Sequence, residues 1–297
     1  MKTNFFKNNP SIVDTTLRDG EQTPGVIFTT KEKVAIASSL NDLGIEEIEM
    51  GIPSRGVKEI NAIRTVTEQG FRFRTYTWCK PLKRDIDAAR KTGVDGINIS
   101  FPASEIQFKE TGKDLKWVYE TMPKIVKYAR NYFKYVSIEA LDVSRAKSES
   151  IHEFVSVCFN HHVYRVRISD TVGILNPIST YKLIGDLTQA FPYIPLEFHG
   201  HNGFGNATEN TIAAIEAGAS YAITTVNGLG ERAGNAATEE LICALSLSVQ
   251  NKEKYATKYI KDLRSYVAAI SFRPVPVFKP IVGEKTLLYG QDIKKTA

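Results

Sequence analysis

Two histidines near the end of a short apolar segment are the residues best placed to do chemistry in this sequence. If Leu196–His201 is a β-strand, its side chains alternate between two faces, so His199 and His201 point the same way. Two imidazoles in this relation can hold a divalent metal ion, or they can be buried histidines satisfied by hydrogen bonds. A position at a strand end, with an acidic motif elsewhere in the chain, favours the metal site.

That acidic motif is residues 14–22, DTTLRDGEQ. Asp19 follows a predicted first strand and can act as an anionic ligand, or as a turn or cap residue. Two imidazoles, one carboxylate and an amide oxygen suit Mg²⁺, Mn²⁺, Zn²⁺ or Co²⁺. A set of two histidines and one carboxylate also suits Fe²⁺ oxygenases, which are usually built on other folds. We therefore expect a divalent metal ion as cofactor.

Two further polar motifs follow predicted strands. In residues 170–173, DTVG, the Thr171 hydroxyl can hold a substrate carboxylate or cap a turn. In residues 227–235, NGLGERAGN, the glycines allow close backbone approach and the helix start beyond them favours anions. The same loop is equally compatible with an ordinary turn in which Asn235 is a helix N-cap.

Composition narrows the class of protein. The 297 residues include 38 basic and 33 acidic side chains, and the basic ones are scattered. This mild charge fits anionic small-molecule substrates better than nucleic acid. The three cysteines are odd in number and far apart, which suggests a reducing compartment. Without an apolar run typical of a secretion signal or a membrane span, we expect a cytoplasmic protein with no membrane association.

The elements that must position these residues alternate regularly between strand and helix. This repeat predicts a (β/α)8 barrel, with an open doubly wound sheet as the alternative. We expect one domain, 1–297, with the barrel at about 10–250 and a short extension at 251–297. The extension contains a helix at 255–270 and an irregular, proline-rich tail from Arg273. The predicted strands are 12–16, 45–51, 71–78, 96–101, 135–141, 164–169, 196–201 and 221–226, and the predicted barrel helices are 30–43, 57–68, 83–91, 114–132, 148–160, 177–191, 206–217 and 236–249.

Alternation along the strands separates an apolar outer face from a polar lumen. Buried charges must be paired or bind something, and we expect Glu47, Arg165 and Glu197 to pair in the barrel floor. The groups nearest the carboxyl ends of the strands should form the site. The outer set includes Ile48, Met50, Ile97, Ile99, Phe101, Val136, Ile138, Tyr164, Val166, Ile168, Leu196 and Phe198, and the lumen set includes Glu47, Glu49, Asn98, Ser100, Ser137, Glu139, Arg165, Arg167, Glu197, His199 and His201.

The motifs together resemble one enzyme family. DTTLRDGEQTPG, SDTVGILNP, HGHNGFGNATENT and NGLGERAGNAATEE are similar, in order and placement, to those of the metal-dependent carbon–carbon bond enzymes. That family includes homocitrate synthase, 2-isopropylmalate synthase, citramalate synthase and hydroxymethylglutaryl-CoA lyase. The resemblance covers about residues 10–285. EMGIPS, TWCK and SFPASEIQ look most like the nitrogen-fixation type of homocitrate synthase.

The resemblance implies a site and a reaction. Asp19, His199 and His201 would be metal ligands with Asn235 as the amide ligand, and Arg18 would lie over the reacting oxygen. The implied reaction is a Claisen condensation of acetyl-CoA with a metal-bound 2-oxo acid, in an acyltransferase that is expected to be a homodimer. The remaining candidates are the substrate-binding residues Gln22, Ser137 and Thr171, the last of these for the oxo-acid carboxylate.

Two departures from the family pattern leave the proton-transfer group open. Similar synthases have an acidic residue where this chain has Leu141, and Glu139 stands two positions earlier. They also carry a catalytic histidine beyond the barrel, whereas no histidine follows His201 here. Glu139, Glu49 or Tyr76 can then transfer the proton. The alternatives to a synthase are a barrel-only lyase or aldolase running the reverse cleavage, and an impaired homologue that keeps metal and oxo-acid binding.

Overall fold

The computed structural model describes residues 9–247 and 254–289, and its centre is a closed barrel of eight parallel strands. The strands follow one another in chain order around the barrel, and the eighth pairs with the first. This confirms the (β/α)8 barrel and excludes the open sheet. The strands are β1 Ser11–Asp14, β2 Glu47–Glu49, β3 Arg74–Cys79, β4 Gly96–Pro102, β5 Tyr135–Leu141, β6 Val166–Asp170, β7 Leu196–Gly200 and β8 Tyr221–Thr224.

Helices surround the barrel and bury the apolar outer face of the strands. The first begins at a capping box between Thr29 and Glu32 and ends at Gly44, whose φ of 93° is left-handed. In the described ranges, no helix is both long enough and apolar enough to cross a membrane. The helices are α1 Thr30–Leu43, α2 Val57–Thr67, α3 Lys83–Arg90, α4 Glu105–Thr111, α5 Leu115–Ala129, α6 Ser148–Asn160, α7 Pro177–Ala190, α8 Ala207–Glu216, α9 Thr238–Ser246, α10 Ile260–Ser271 and α11 Glu284–Tyr289.

Two helices were not predicted from the sequence. Helix α4 has seven residues between its two caps. The Ser104 hydroxyl at the N-cap accepts a hydrogen bond from the Gln107 amide, and the C-cap Gly112 is left-handed. Its short length gives too little periodicity to recognise. Helix α11 lies in the tail that was expected to be irregular.

The predicted start of the helix at 236 was also wrong. Helix α9 begins at Thr238 because Asn235 and Ala237 are extended and form bridges with His201 and Thr225. Position 249, at the predicted end of this helix, and the predicted barrel boundary at 250 and 251 lie outside the described residues.

The barrel floor is the predicted network of buried charges. Arg165 forms ion pairs with Glu47, at 2.5 Å, and with Glu197. Its guanidinium lies 4.8 Å from the ring centroid of Tyr76 and 4.3 Å from that of Tyr221. These contacts compensate the desolvated charges and close the lower end of the barrel.

Tyr164 departs from its predicted place on the outer face. Its hydroxyl accepts a hydrogen bond from Arg74 at 2.8 Å and lies 3.0 Å from the hydroxyl of Tyr221. The residue precedes β6, which begins at Val166, so strand alternation does not govern its side chain. It extends the floor network instead.

Candidate metal centre

Asp19, His199 and His201 converge at the carboxyl end of the barrel. The Oδ2 atom of Asp19 lies 3.3 Å from Nε2 of His199 and 3.4 Å from Nε2 of His201. One ligand atom from each residue lies within 4.8 Å of the others, and all three side chains are buried. Such a cluster of one carboxylate and two imidazoles has the composition and spacing to hold a divalent ion.

The barrel explains why residues so far apart in sequence meet here. Strands β1 and β7 flank β8, so the turn after β1 and the end of β7 lie at the same rim. Strand β7 ends at Gly200, and His201 pairs with Asn235 of the glycine-rich loop. This pairing places Oδ1 of Asn235 2.8 Å from Nε2 of His199.

Gly230 is required by the same arrangement. Its φ of 150° disfavours L side chains, and a Cβ there would collide with Nδ2 of Asn235. The collision would move the Asn235 amide away from His199. Gly230 is therefore needed so that the loop can pack closely against the Asn235 side chain. From the sequence alone, this loop was equally compatible with an ordinary turn.

Both histidines are held with their Nε2 atoms facing the centre. Nδ1 of His201 lies 3.2 Å from the carbonyl oxygen of Asp170, and Nδ1 of His199 lies 3.5 Å from Oε1 of Glu139. His199 Nδ1 makes no hydrogen bond in the described part of the chain, and its contact with Glu139 is electrostatic. With a proton on each Nδ1, the Nε2 lone pairs would be free for a cation. Oδ1 of Asp19 has no hydrogen-bond partner in the described part of the chain. The donor set therefore fits a divalent metal ion.

The surroundings of Asp19 strongly favour the ionised form of its carboxyl group. Burial alone would raise the pKa of its carboxyl group, but Arg18 and the two histidines hold that pKa well below its usual value. The carboxylate is ionised at neutral pH and is available as an anionic ligand.

A cavity of about 440 Å³ opens directly above the triad. It brings together seven of the predicted site residues: Arg18, Asp19, Gln22, Glu139, Thr171, His199 and His201. Sequence reasoning did not single out the others as site residues, although each lies near the carboxyl end of a strand or in the loop that follows it. These are Ile52, Ser54, Arg55, Trp78, Lys80, Leu141 and Glu231.

Arg18 presents part of its guanidinium to this cavity. Its Nε donates to Oε2 of Glu49 at 2.6 Å, and its Nη1 lies 3.3 Å from Oδ2 of Asp19. Its Nη2 is buried and has no partner among the described residues. The guanidinium is therefore fixed at two nitrogens, and the third can donate to a ligand.

Thr171 also keeps a donor for a ligand. Its Oγ1 accepts a hydrogen bond from the backbone amide of Asp142 at 2.9 Å. This bond uses an oxygen lone pair and leaves the hydroxyl hydrogen available. The turn that follows β6 is capped by the Asp170 carboxylate, which accepts from the amides of Gly173 and Leu175, and not by Thr171.

Glu139 is surrounded by donors. Its Oε2 accepts from Trp78 Nε1 and Asn98 Nδ2, both at 3.0 Å, and from the Ser100 hydroxyl. Its Oε1 accepts from the Ser169 hydroxyl at 2.6 Å and faces His199. Burial raises the pKa of Glu139, but His199 and nearby arginines hold the pKa well below its usual value. So many donors leave little capacity for accepting a substrate proton.

Four residues considered from the sequence lie outside the cavity lining, and one of them, Asn235, contacts His199 as described above. Glu49 is buried below Arg18 and also accepts from Thr15 and Arg167, so its oxygens are occupied. Ser137 precedes Glu139 by two positions on β5 and is deeper in the lumen, and Tyr76 lies in the floor beneath Arg165. The side chains of Glu49, Ser137 and Tyr76 therefore do not line the cavity in this structure.

The comparisons with known proteins agree with this geometry. The model of a family described as HMGL-like matches residues 9–267. The chain belongs to the HMGL-like family. Its relatives in this family include 2-isopropylmalate synthase 2 of Caldanaerobacter subterraneus, which is 38% identical over 97% of this chain and 76% of its own length. Homocitrate synthase 1 of Nostoc sp. is 38% identical over 96% of this chain and 76% of its own.

Solved structures show the same HMGL-like fold. Hydroxymethylglutaryl-CoA lyase from Pseudomonas aeruginosa superposes with a TM-score of 0.82, at 19% identity, over 96% of this chain and 99% of that chain. At this identity the likeness establishes the barrel alone. The sequence relatives named as synthases are much more similar to this chain than the lyase is.

Proposed function

We propose that this protein catalyses a metal-dependent condensation of acetyl-CoA with a 2-oxo acid, as an acyltransferase of the homocitrate and 2-isopropylmalate synthase type. The observation that carries the proposal is the convergence of Asp19, His199 and His201 below a cavity that Arg18 and Thr171 also line. Relatives at 38% identity are named for synthases that form such products. Small-molecule substrates of this kind need no nucleic-acid or membrane partner. We expect a homodimer.

The proposed metal ligands are Asp19, His199, His201 and Asn235. A divalent ion held there would supply Lewis-acid polarisation of the ketone and a fixed anchor for the oxo acid. Mg²⁺, Mn²⁺, Zn²⁺ and Co²⁺ are all compatible with two imidazoles and two oxygen ligands.

The chain's own groups supply orientation and charge stabilisation. The unpartnered Nη2 of Arg18 donates to the alkoxide that develops at the ketone oxygen, and the Thr171 hydroxyl donates to the carboxylate of the oxo acid. Gln22 lines the same wall and offers amide hydrogen bonds. Leu141, Ile52 and Trp78 exclude water from the reacting carbons.

Glu49 and Glu139 act as positioning residues in this proposal. Glu49 fixes the Arg18 guanidinium through its Nε. The Glu139 carboxylate lies 3.5 Å from Nδ1 of His199, where its negative charge favours a proton on that nitrogen. The group that removes the proton from the acetyl methyl is then neither of these two. A test for Glu139 is given in the Discussion.

Thiol release tests the function directly. The metal-loaded protein is incubated with acetyl-CoA and, separately, pyruvate, 2-oxobutyrate, 2-oxoisovalerate and 2-oxoglutarate. We expect release of CoA above the hydrolysis rate with one or more of these acids. A parallel assay for cleavage of hydroxy-acyl-CoA substrates tests the reverse reaction. Cleavage without any condensation would assign the protein to the lyases, and metal binding with neither activity would assign it a binding role.

A further inference from the structure

One side of the cavity mouth carries positive charge that the proposed chemistry does not use. Arg55 ends the turn Pro53–Arg55 after β2, and Lys80 follows β3 directly. Both line the cavity above the metal centre. Arg84 lies in the first turn of α3, outside the cavity lining. We call Arg55, Lys80 and Arg84 the basic rim.

The three residues lie on neighbouring parts of the same wall. Strands β2 and β3 are paired, so the segments that follow them leave the barrel side by side. Helix α3 packs against the turn Pro53–Arg55. Positive charge therefore begins inside the cavity and continues outward over the protein surface.

This charge has little compensation from the protein itself. Within the described ranges, no ion pair or ring contact involves the side chain of Arg55 or Lys80. Arg84 is 83% exposed and has only a weak contact, 3.7 Å, with Asp85. Neither segment, PSRGVK at 53–58 nor KPLKR at 80–84, contains an acidic residue. Uncompensated cations at a cavity mouth concentrate anionic ligands.

Some exposed cations have partners and others, such as Lys31, Lys124 and Lys182, have none among the described residues, so it is the place of Arg55 and Lys80 at the cavity mouth that distinguishes the basic rim. Lys147 pairs with Glu105 at 2.6 Å, and Lys83, next to the rim, lies 5.0 Å from the ring centroid of Tyr128. Inside the cavity, Asp19 and Glu139 are already bound by other groups. Glu231 pairs with Arg232 at 2.9 Å. No acid of the cavity is therefore left to neutralise the rim.

We propose that the basic rim binds the phosphate groups of the acyl-CoA substrate, with the pantetheine arm passing through the mouth to the metal centre. This inference rests on the proposed function. A 2-oxo acid is short and fits entirely within the cavity, so it cannot reach Arg84 from the metal centre. A thioester of CoA has its reacting acyl group at one end and several phosphate charges at the other. Its length and charge match a positive surface that starts in the cavity and ends outside.

The test compares two thioesters that differ only in the charged end. Acetyl-CoA and acetyl-pantetheine carry the same acetyl group, but acetyl-pantetheine has no phosphate. In Arg55→Ala and Lys80→Ala we expect kcat/KM for acetyl-CoA to fall about tenfold each, equivalent to about 1.4 kcal/mol. The kcat/KM for acetyl-pantetheine should remain at the wild-type value. Arg55→Lys should recover most of the loss, because it keeps the charge.

Lys134→Ala is the matched control. Lys134 is an exposed lysine beside Tyr135 at the amino end of β5, on the opposite end of the barrel. Its removal changes net charge by the same amount, and we expect both thioesters to react at wild-type rates. Raised salt should weaken acetyl-CoA use in the wild type and leave acetyl-pantetheine unaffected.

Three results would overturn the inference. An equal fall for both thioesters means that the rim only shapes the site. A raised KM for a dicarboxylic 2-oxo acid in these variants, with the kinetics for acetyl-CoA unchanged, means that the rim binds the distal carboxylate of the oxo acid. The third is calorimetric binding of adenosine 3′,5′-bisphosphate with the same affinity in the wild type and both variants. This last measurement needs no turnover, so it separates failure of the rim from failure of the proposed condensation.

Discussion

Replacing Arg18 by lysine tests how the site stabilises charge. In the structure this guanidinium is bound at Nε by Glu49 at 2.6 Å and at Nη1 by Asp19 at 3.3 Å, while Nη2 is buried without a partner. A lysine ammonium keeps the positive charge and can reach one of the two carboxylates. It cannot keep the planar fork whose third nitrogen is proposed to donate to the ketone oxygen.

The expected loss follows from this geometry. Removing one donor to a developing oxyanion lowers kcat by about 100-fold to 1000-fold, or about 3–4 kcal/mol of transition-state stabilisation. The loss of one charge-assisted hydrogen bond costs about 1.5–3 kcal/mol of folding stability at most, and the retained charge reduces that cost. We therefore expect kcat for thiol release to fall about 100-fold while the free energy of unfolding changes by less than about 2 kcal/mol.

The assay is thiol release at saturating acetyl-CoA and 2-oxo acid, with metal content measured on the same preparation. Arg74→Lys is the matched control, because Arg74 pairs with Glu47 in the barrel floor and does not line the cavity. A kcat within threefold of the wild type, with the metal retained, would refute the role of Arg18 at the oxyanion. A fall in kcat that only follows loss of the metal would assign the effect to Asp19 instead.

Three further perturbations test the surroundings of the site. Glu139→Gln should weaken metal binding about 10-fold to 100-fold, because the Glu139 carboxylate lies beside the ligand His199. Deuterium exchange into the methyl group of acetyl-CoA should persist at saturating metal. If exchange is abolished at full metal occupancy, Glu139 is the base. Burial raises the pKa of Asp14 to about 6, above the value in an unfolded chain, so its ionisation destabilises the fold at pH 8 and this penalty disappears as the pH falls toward 4. Urea unfolding at pH 8 and pH 5 should show the wild type gaining stability relative to Asp14→Asn at the lower pH, and a pH-independent difference would contradict this. Arg165→Met leaves two buried carboxylates without their shared partner and should cost about 3–5 kcal/mol in the same unfolding assay; a loss below about 1 kcal/mol would show that the floor network is not stabilising.

The barrel could be predicted because its signal is local and repeated. Many strands combine an apolar face with a polar lumen face, and some helices carry their own start and stop signals, such as Thr29 and Gly44 around α1. The ends of elements were less predictable. Strand β2 has three residues where seven were expected, although Glu46, Met50 and Gly51 beside it still form backbone hydrogen bonds with β3.

The metal triad could also be anticipated, because two histidines on one strand face and an acidic turn carry a recognisable chemistry. The pairing of His201 with Asn235 could not, since it depends on how the loop after β8 closes against the end of β7. The role of Glu139 was likewise hidden. Its donors come from strands β3, β4 and β6, with His199 of β7 in ion-pair distance, and only the closed barrel brings these groups to one carboxylate.

The cavity wall formed by Arg55, Trp78 and Lys80 was missed for a different reason. These residues lie in or just after β2 and β3, at the rim where a barrel site is expected, but none belongs to a motif with a familiar metal or carboxylate chemistry. A search of the residues at and just beyond each strand end, without regard to motif, would have found them.

The most direct test of the account is the stoichiometry of metal binding by the wild type and by His201→Ala. His161→Ala is the control, because it removes an exposed histidine far in sequence from the triad. After loading with Mn²⁺ or Zn²⁺ and removal of excess metal, elemental analysis should find about one ion per chain in the wild type and the control. The account predicts loss of that ion in His201→Ala, and an unchanged stoichiometry and affinity in this variant would contradict it.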